Sequence, residues 1–233
     1  MRFLPATRRA CELIENGAIG DVLMVSANFG HRPPYDPENR FFNTSLGGGA
    51  FLDVGVYALS LAVLLLGYPQ RVTSDAAIGP SGVDEQSAVV LAYADGRMAV
   101  LAASLKTYLP TDAVISGTEG EIRLAPLYRP ERLTLRSFSQ PGAADAAGGG
   151  WRTRAKAIPG LRTAVAGGRR IRHALRPSSG DYVPFEGNGF NYEAAEVLRC
   201  LNAGLNESPL MPLDETLSVM ETLDTVRRQW SRA

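Results

Sequence analysis

Hydrophobic residues recur with helical spacing at both ends of this chain and in one central run, alternate with period two over the stretch between, and lose periodicity near residues 139–182. Thr7 to Asn16 reads as a short amphipathic helix, with Ala10, Leu13 and Ile14 inward and Gly17 as its stop. Asp21 to His31 alternates as a strand, Leu23, Val25, Ala27 and Phe29 against Met24, Ser26 and Asn28. The central run, Ala50 to Leu66, is apolar nearly all round, so the spacing predicts one continuous buried helix, ended by Gly67 and Pro69. Strands are predicted near 70–79, 85–94, 97–107, 112–118, 120–125 and 131–138, with tight returns at Asp95-Gly96 and Thr118-Glu119. Helix returns from Phe190 to Ala203, with Ala194, Leu198, Leu201 and Leu205 on one face. A last helix follows Pro212, with Val219, Leu223, Val226 and Trp230 as its packing stripe.

Strands joined by short turns are antiparallel, because parallel neighbours need long crossovers. The pattern therefore predicts an α+β fold, a mostly antiparallel open-faced sheet with helices on one face. Residues 1–233 are expected to form it as a single unit, with an insertion at about 139–182 that is first Gly/Ala-rich and then basic. Several strands are apolar on both sides; Ala88, Val90 and Ala92 oppose Val89, Leu91 and Tyr93. The helices can cover one face, and a second subunit would cover the other.

Within the apolar central run Asp53, Tyr57 and Ser60 fall at i, i+4 and i+7, one stripe of the helix. A buried carboxylate and phenol cost free energy unless hydrogen-bonded, so the stripe meets either a polar partner or a pocket. Gly47-Gly48-Gly49 precedes the run, and before it Pro33-Pro34-Tyr35-Asp36-Pro37 excludes helix and central strand. That segment is expected to be an ordered loop delivering Arg40, Phe41 and Phe42 to the glycine turn, as one wall of a site.

Charge narrows the partners. Basic and acidic residues balance at 24 each, so no global field argues for nucleic acid or an anionic membrane surface. Residues 151–176 hold eight basic side chains and no acidic one, a pattern expected of a solvated surface insertion, with an anion or nucleic-acid patch as the alternative. Cys11 and Cys200 lie in separate predicted helices without ligand spacing, which reads as reduced thiols in a reducing compartment, the cytoplasm, and argues against a structural metal. The N-terminus lacks signal-peptide architecture. Residues 50–66, the only membrane candidate, are slightly short for a span and carry Asp53.

Arg40 and Gly47-Gly48-Gly49-Ala50-Phe51-Leu52-Asp53-Val54-Gly55-Val56-Tyr57 together resemble the signature of the catalytic-side domain in the glucose–fructose oxidoreductase/inositol dehydrogenase (Gfo/Idh/MocA) superfamily. Arg2-Phe3-Leu4-Pro5 and Asn188-Gly189-Phe190-Asn191-Tyr192-Glu193 resemble it too, in family order. Tyrosine at the end of the Asp-x-Gly-x-Tyr motif resembles the branch of dimeric dihydrodiol dehydrogenase and the NADP-dependent xylose dehydrogenases. The resemblance implies a glyceraldehyde-3-phosphate dehydrogenase-like C-terminal domain that binds substrate and dimerises through its sheet. It implies NADP or NAD as cofactor in the full-length context, and a sugar, polyol or dihydrodiol as substrate. Tyr57 would be the acid–base residue, with Asp53 orienting substrate or the tyrosine. Arg40 and Asn188 would bind substrate, and Arg2 and Phe3, terminal and expected to fray, would line the cofactor side.

The cofactor half is not found in the sequence. A dinucleotide site needs a strand, a Gly-x-Gly-x-x-Gly turn and a helix in succession, and Gly47-Gly48-Gly49, Gly148-Gly149-Gly150 and Gly187-Asn188-Gly189 all lack that setting. The family's catalytic lysine has no counterpart, since Lys106 lies in a predicted strand outside the motif. Three explanations stand open: a start upstream of Met1, a separate partner, or loss of the reaction. The functional expectation is an oxidoreductase half not competent alone and binding no nucleotide tightly; the alternative is a non-catalytic dimerising or partner-binding module.

Overall fold

A computed structural model describes residues 1–138 and 179–230. Pro5 opens α1 (Pro5–Glu15), where its fixed φ suits a first helical position, and β1 (Val22–Gly30) follows. Further on come α2 (Val56–Leu66), β2 (Arg71–Ile78), β3 (Asp84–Ala92), β4 (Met98–Ser104), β5 (Ala113–Gly117), β6 (Gly120–Ala125) and β7 (Arg132–Ser137). The described chain resumes at β8 (Ser179–Tyr182) and ends with α3 (Phe190–Asn202) and α4 (Leu213–Trp230). The strands form one eight-stranded sheet in the order β2-β3-β4-β1-β5-β6-β7-β8. Every neighbouring pair is antiparallel except β1 and β4, which the long crossover through α2, β2 and β3 makes parallel. The fold is α+β, as the pattern predicts.

The insertion expected at 139–182, basic run included, lies outside the described residues apart from its last four. Those four are corrected: 179–182 add an edge strand beside β7. Ser-Gly-Asp-Tyr is too short and polar to show a period-two signal.

Alternation sorts the sheet into two faces. Val25, Ala27, Val89, Leu91, Ala99, Leu101, Ile115 and Ile122 are buried on the inner face. Beneath them lie Ala58, Leu59, Leu61 and Ala62 of α2 and Val219, Leu223 and Val226 of α4. Gln229 fixes α4 to β2: its Oε1 accepts from the Ser74 N–H at 2.8 Å and its Nε2 donates to the Val72 carbonyl at 2.9 Å. Among the described residues the outer face is open. Met24 and Met98 are register partners, as are Val90 and Val100, and the sheet leaves Met24, Met98 and Val100 more than a third exposed.

Three expectations about helices change. The central run is not α-helical from its start, because Phe51–Gly55 forms a π-helical turn before α2. A Cβ on Gly55 would lie 2.4 Å from the Phe51 ring, so glycine is what lets that ring fold back on the turn. The stretch Thr44–Leu66 is apolar and long enough to cross a membrane, yet 61% of its apolar window is buried, as a core helix requires. On α3 only Cys200 is buried, while Leu198 and Leu201 of its apolar stripe stand exposed. Finally, Arg2 does not fray. It is 8% exposed, donates to the Leu210 carbonyl at 2.6 Å and pairs with Glu215 at the start of α4.

Candidate active site

The loop between β1 and the central helix is ordered by its own side chains. Asp36 Oδ1 accepts from the Glu38 N–H at 3.0 Å, Asn39 Oδ1 from Phe41 at 3.1 Å and Asn43 Oδ1 from Ser45 at 3.0 Å. Such Asx turns give a proline-rich backbone the partners that no sheet supplies. The Gly48 and Gly49 N–H groups donate to the Asn43 and Phe41 carbonyls at 2.9 and 3.0 Å, closing the loop onto the helix. A Cβ on Gly48 would sit 2.8 Å from both of those carbonyl oxygens, and Gly49 has φ +126° with Asp84 where its Cβ would go.

Asp84 completes the helix start. It is 5% exposed, and its Oδ2 accepts from the Phe51 N–H at 2.7 Å. Burial pushes its carboxyl up to about 6, opposed by that N–H. A helix N-terminus of this kind commonly holds phosphate. Here loop carbonyls and a carboxylate already take the N–H groups of Gly48, Gly49 and Phe51, so the turn does not fit a nucleotide pyrophosphate.

From this start α2 presents Tyr57, 37% exposed. Its ring lies 5.8 Å from Phe29 and 6.3 Å from Tyr128, and Phe29 and Tyr128 stack at 5.0 Å with planes 16° apart. The contacts run on from Phe29 to His31 at 6.0 Å and from His31 edge-on to Phe41 at 5.2 Å. Arg40 covers the Phe41 ring at 4.2 Å and pairs with Asp53 at 2.5 Å. Asp53 is mostly covered and Arg40 mostly exposed. An ion pair with one exposed partner contributes little stability, so exchanging it for a substrate oxygen costs little. The arrangement offers a phenol, a carboxylate and a guanidinium around a wall of aromatic rings. Rings favour the C–H faces of a cyclic substrate, and the polar groups can hold its hydroxyls.

Of the residues expected from the sequence, Arg40 and Asp53 meet directly, and Tyr57 joins them through the ring series. Asn188 is engaged locally: its Oδ1 accepts from the Phe190 N–H at 3.1 Å, at the start of α3. The segment before it reaches the site's edge, where Arg129, next to Tyr128, lies 4.9 Å over Phe185. Arg2 is committed to Leu210 and Glu215. Phe3 lines a depression of about 230 Å³ with Arg8, Tyr192, Glu196 and Arg199. Sequence reasoning missed Phe29, His31, Tyr128 and Asp84 as members of the site. The available signals were an aromatic and a histidine closing β1, a tyrosine in the turn after β6, and an acidic pair opening a strand that is apolar only in its second half.

The mostly antiparallel open sheet and the glycine-entered helix behind it have counterparts in known proteins. Residues 7–123 match the GFO/IDH/MocA C-terminal domain, and the chain belongs to that family. Among characterised relatives it is 29% identical to trans-1,2-dihydrobenzene-1,2-diol dehydrogenase of Xenopus tropicalis, over 98% of this chain and 60% of that protein. To the Homo sapiens enzyme of that name it is 26% identical, over 97% of this chain and 59% of that protein. The chain thus spans about 60% of the length of these relatives, their C-terminal part. Its fold is shared with levoglucosan dehydrogenase in complex with NADH and levoglucosan, at a TM-score of 0.73 and 20% identity, covering 99% of this chain and 62% of that one. It is likewise shared with aldose-aldose oxidoreductase from Caulobacter crescentus complexed with glycerol, at 0.70 and 19%, covering 97% and 58%.

Proposed function

We propose that this chain is the substrate-binding and dimerisation half of an NAD(P)-dependent oxidoreductase acting on a sugar, polyol or dihydrodiol hydroxyl. The observation that carries the reading is Tyr57, exposed on a buried helix, set in an aromatic wall beside the Arg40–Asp53 pair. Family membership and the relatives' names support the reaction class and the substrate chemistry. NADP or NAD, when bound to a nucleotide-binding half outside the described residues, supplies the hydride acceptor. Tyr57 takes the proton of the substrate hydroxyl; general acid–base assistance of this kind is typically worth about 10²–10⁴-fold. Arg40 and Asp53 orient the substrate oxygens, and Phe29 and Tyr128 hold the ring and exclude water. The two free cysteines fit a reducing compartment, the cytoplasm.

Reconstitution tests this. The isolated chain should show no saturable NADPH binding at micromolar concentration when NADPH fluorescence is followed. Supplying a nucleotide-binding half should give NADP-dependent oxidation of a trans-dihydrodiol or a sugar. Tight NADPH binding by the chain alone, or no oxidation after reconstitution, would contradict the proposal and favour a non-catalytic module.

A further inference from the structure

The loop that carries Arg40 and Phe41 also borders a second hollow, of about 380 Å³, which shares no residue with the aromatic wall around Tyr57. Small-molecule sites commonly enclose about 300–1,000 Å³. Strand pairing builds this one. The Leu105 N–H donates to the Glu85 carbonyl at 2.8 Å, and Ser104 Oγ accepts from the N–H groups of Lys106 and Thr107 at 3.0 and 3.1 Å. The turn so formed sets Lys106 Nζ 3.2 Å from Glu85 Oε2, with the carboxylate buried and the ammonium more than half exposed. Arg32 and Tyr35, both exposed, line the hollow from the loop. Tyr35 stands edge-on to the buried Phe42 ring at 5.0 Å and leaves about half of its surface to solvent.

We propose that this hollow is a second binding site, separate from the one at Tyr57, for a neutral sugar or cyclic polyol. The ion pair selects the charge of the ligand. An anion would draw Lys106 away and leave the Glu85 carboxylate buried and unpaired, which is strongly destabilising. A cation would meet Lys106 and Arg32. An apolar ligand would cover the charged groups without giving them partners. A hydroxyl both donates and accepts, so neighbouring hydroxyls of one ring can donate to Glu85 and accept from Lys106 and Arg32 while the pair stays intact. Tyr35 offers its ring to the C–H side of the same molecule. The two sites share one loop, since Arg32 and Phe42 follow His31 and Phe41 in the chain, but this second site does not require Tyr57 to be a proton acceptor.

A residue-resolved proton–nitrogen NMR titration of the chain tests this, with D-glucose, D-xylose and myo-inositol as neutral probes and inorganic phosphate as the anion. At least one neutral probe should shift the Arg32, Tyr35, Glu85 and Lys106 amides saturably at millimolar concentration, and phosphate should bind there more weakly. Tyr35→Ala, a change at an exposed position, should weaken the sugar binding about tenfold, the scale of a lost aromatic contact. Tyr57→Phe should leave it unchanged. No saturable shift with any neutral probe, tighter binding of phosphate, or an unaltered affinity in Tyr35→Ala would overturn the proposal. Shifts confined to the Phe29 and Tyr57 amides would also overturn it while leaving the oxidoreductase reading in place.

Discussion

Asp84 fixes the start of the helix that presents Tyr57 by accepting from the Phe51 N–H. Its carboxyl titrates at about 6 in the fold against 3.8 ordinarily, because burial disfavours the anion. The folded state therefore holds the proton more tightly than the unfolded one. The stability this contributes is full below about pH 3.8 and is lost as pH rises through about 6. At about 1.4 kcal/mol per pH unit the loss comes to about 2–3 kcal/mol. Urea unfolding from pH 4 to 7 should show that decline relative to Asp84→Asn; parallel stability profiles for the two proteins would exclude it. Gly49 meets Asp84 from the other side. Gly49→Ala should cost about 2–4 kcal/mol, combining positive-φ strain with displacement of the carboxylate. Gly96→Ala, at φ +85° with open space around it, should cost about 1 kcal/mol. Equal urea midpoints for the two variants would show that Asp84 yields freely. Asp53 and Tyr57 were legible as candidates because polar groups stand out within an apolar run, and Arg40 through the motif that resembles the family's. Asp84 and Tyr128 were not, since their roles come from a strand start and a turn that only folding brings to the helix.

At the scale of elements, period and turn chemistry located the seven strands of the described N-terminal part to within a few residues, since each is a half-buried surface and several are closed by Gly or Asp. Two things escaped. The π-helical turn Phe51–Gly55 has no compositional signature, and arises where the Phe51 ring folds over Gly55. Asp53 lies within that turn and pairs with Arg40 from the loop. The stripe on α3 was visible as a pattern, but periodicity reports that a face is apolar without saying what covers it.

For the whole molecule, the outer sheet face carries the account's assembly claim. Val100, Met24 and Met98 stand at its centre, and among the described residues the helices cover only the opposite face. A homodimer through this face would bury on the order of 1,000 Å² or more. Sedimentation equilibrium at micromolar concentration should give twice the chain mass, and Val100→Glu, burying an unpaired charge, should give the monomer. A monomeric wild-type protein, or a variant that still dimerises, would move the interface elsewhere.

Removing the Tyr57 hydroxyl isolates the proton transfer proposed for the alcohol oxidation. In the enzyme reconstituted with a nucleotide-binding half, NADP-dependent turnover of a trans-dihydrodiol is compared for wild type and Tyr57→Phe. The substitution keeps the ring against Phe29 and Tyr128 and removes only the hydroxyl. The account predicts kcat lower by about 10²–10⁴-fold, with the urea midpoint nearly unchanged. A Tyr57→Phe enzyme that keeps most of its turnover would contradict it.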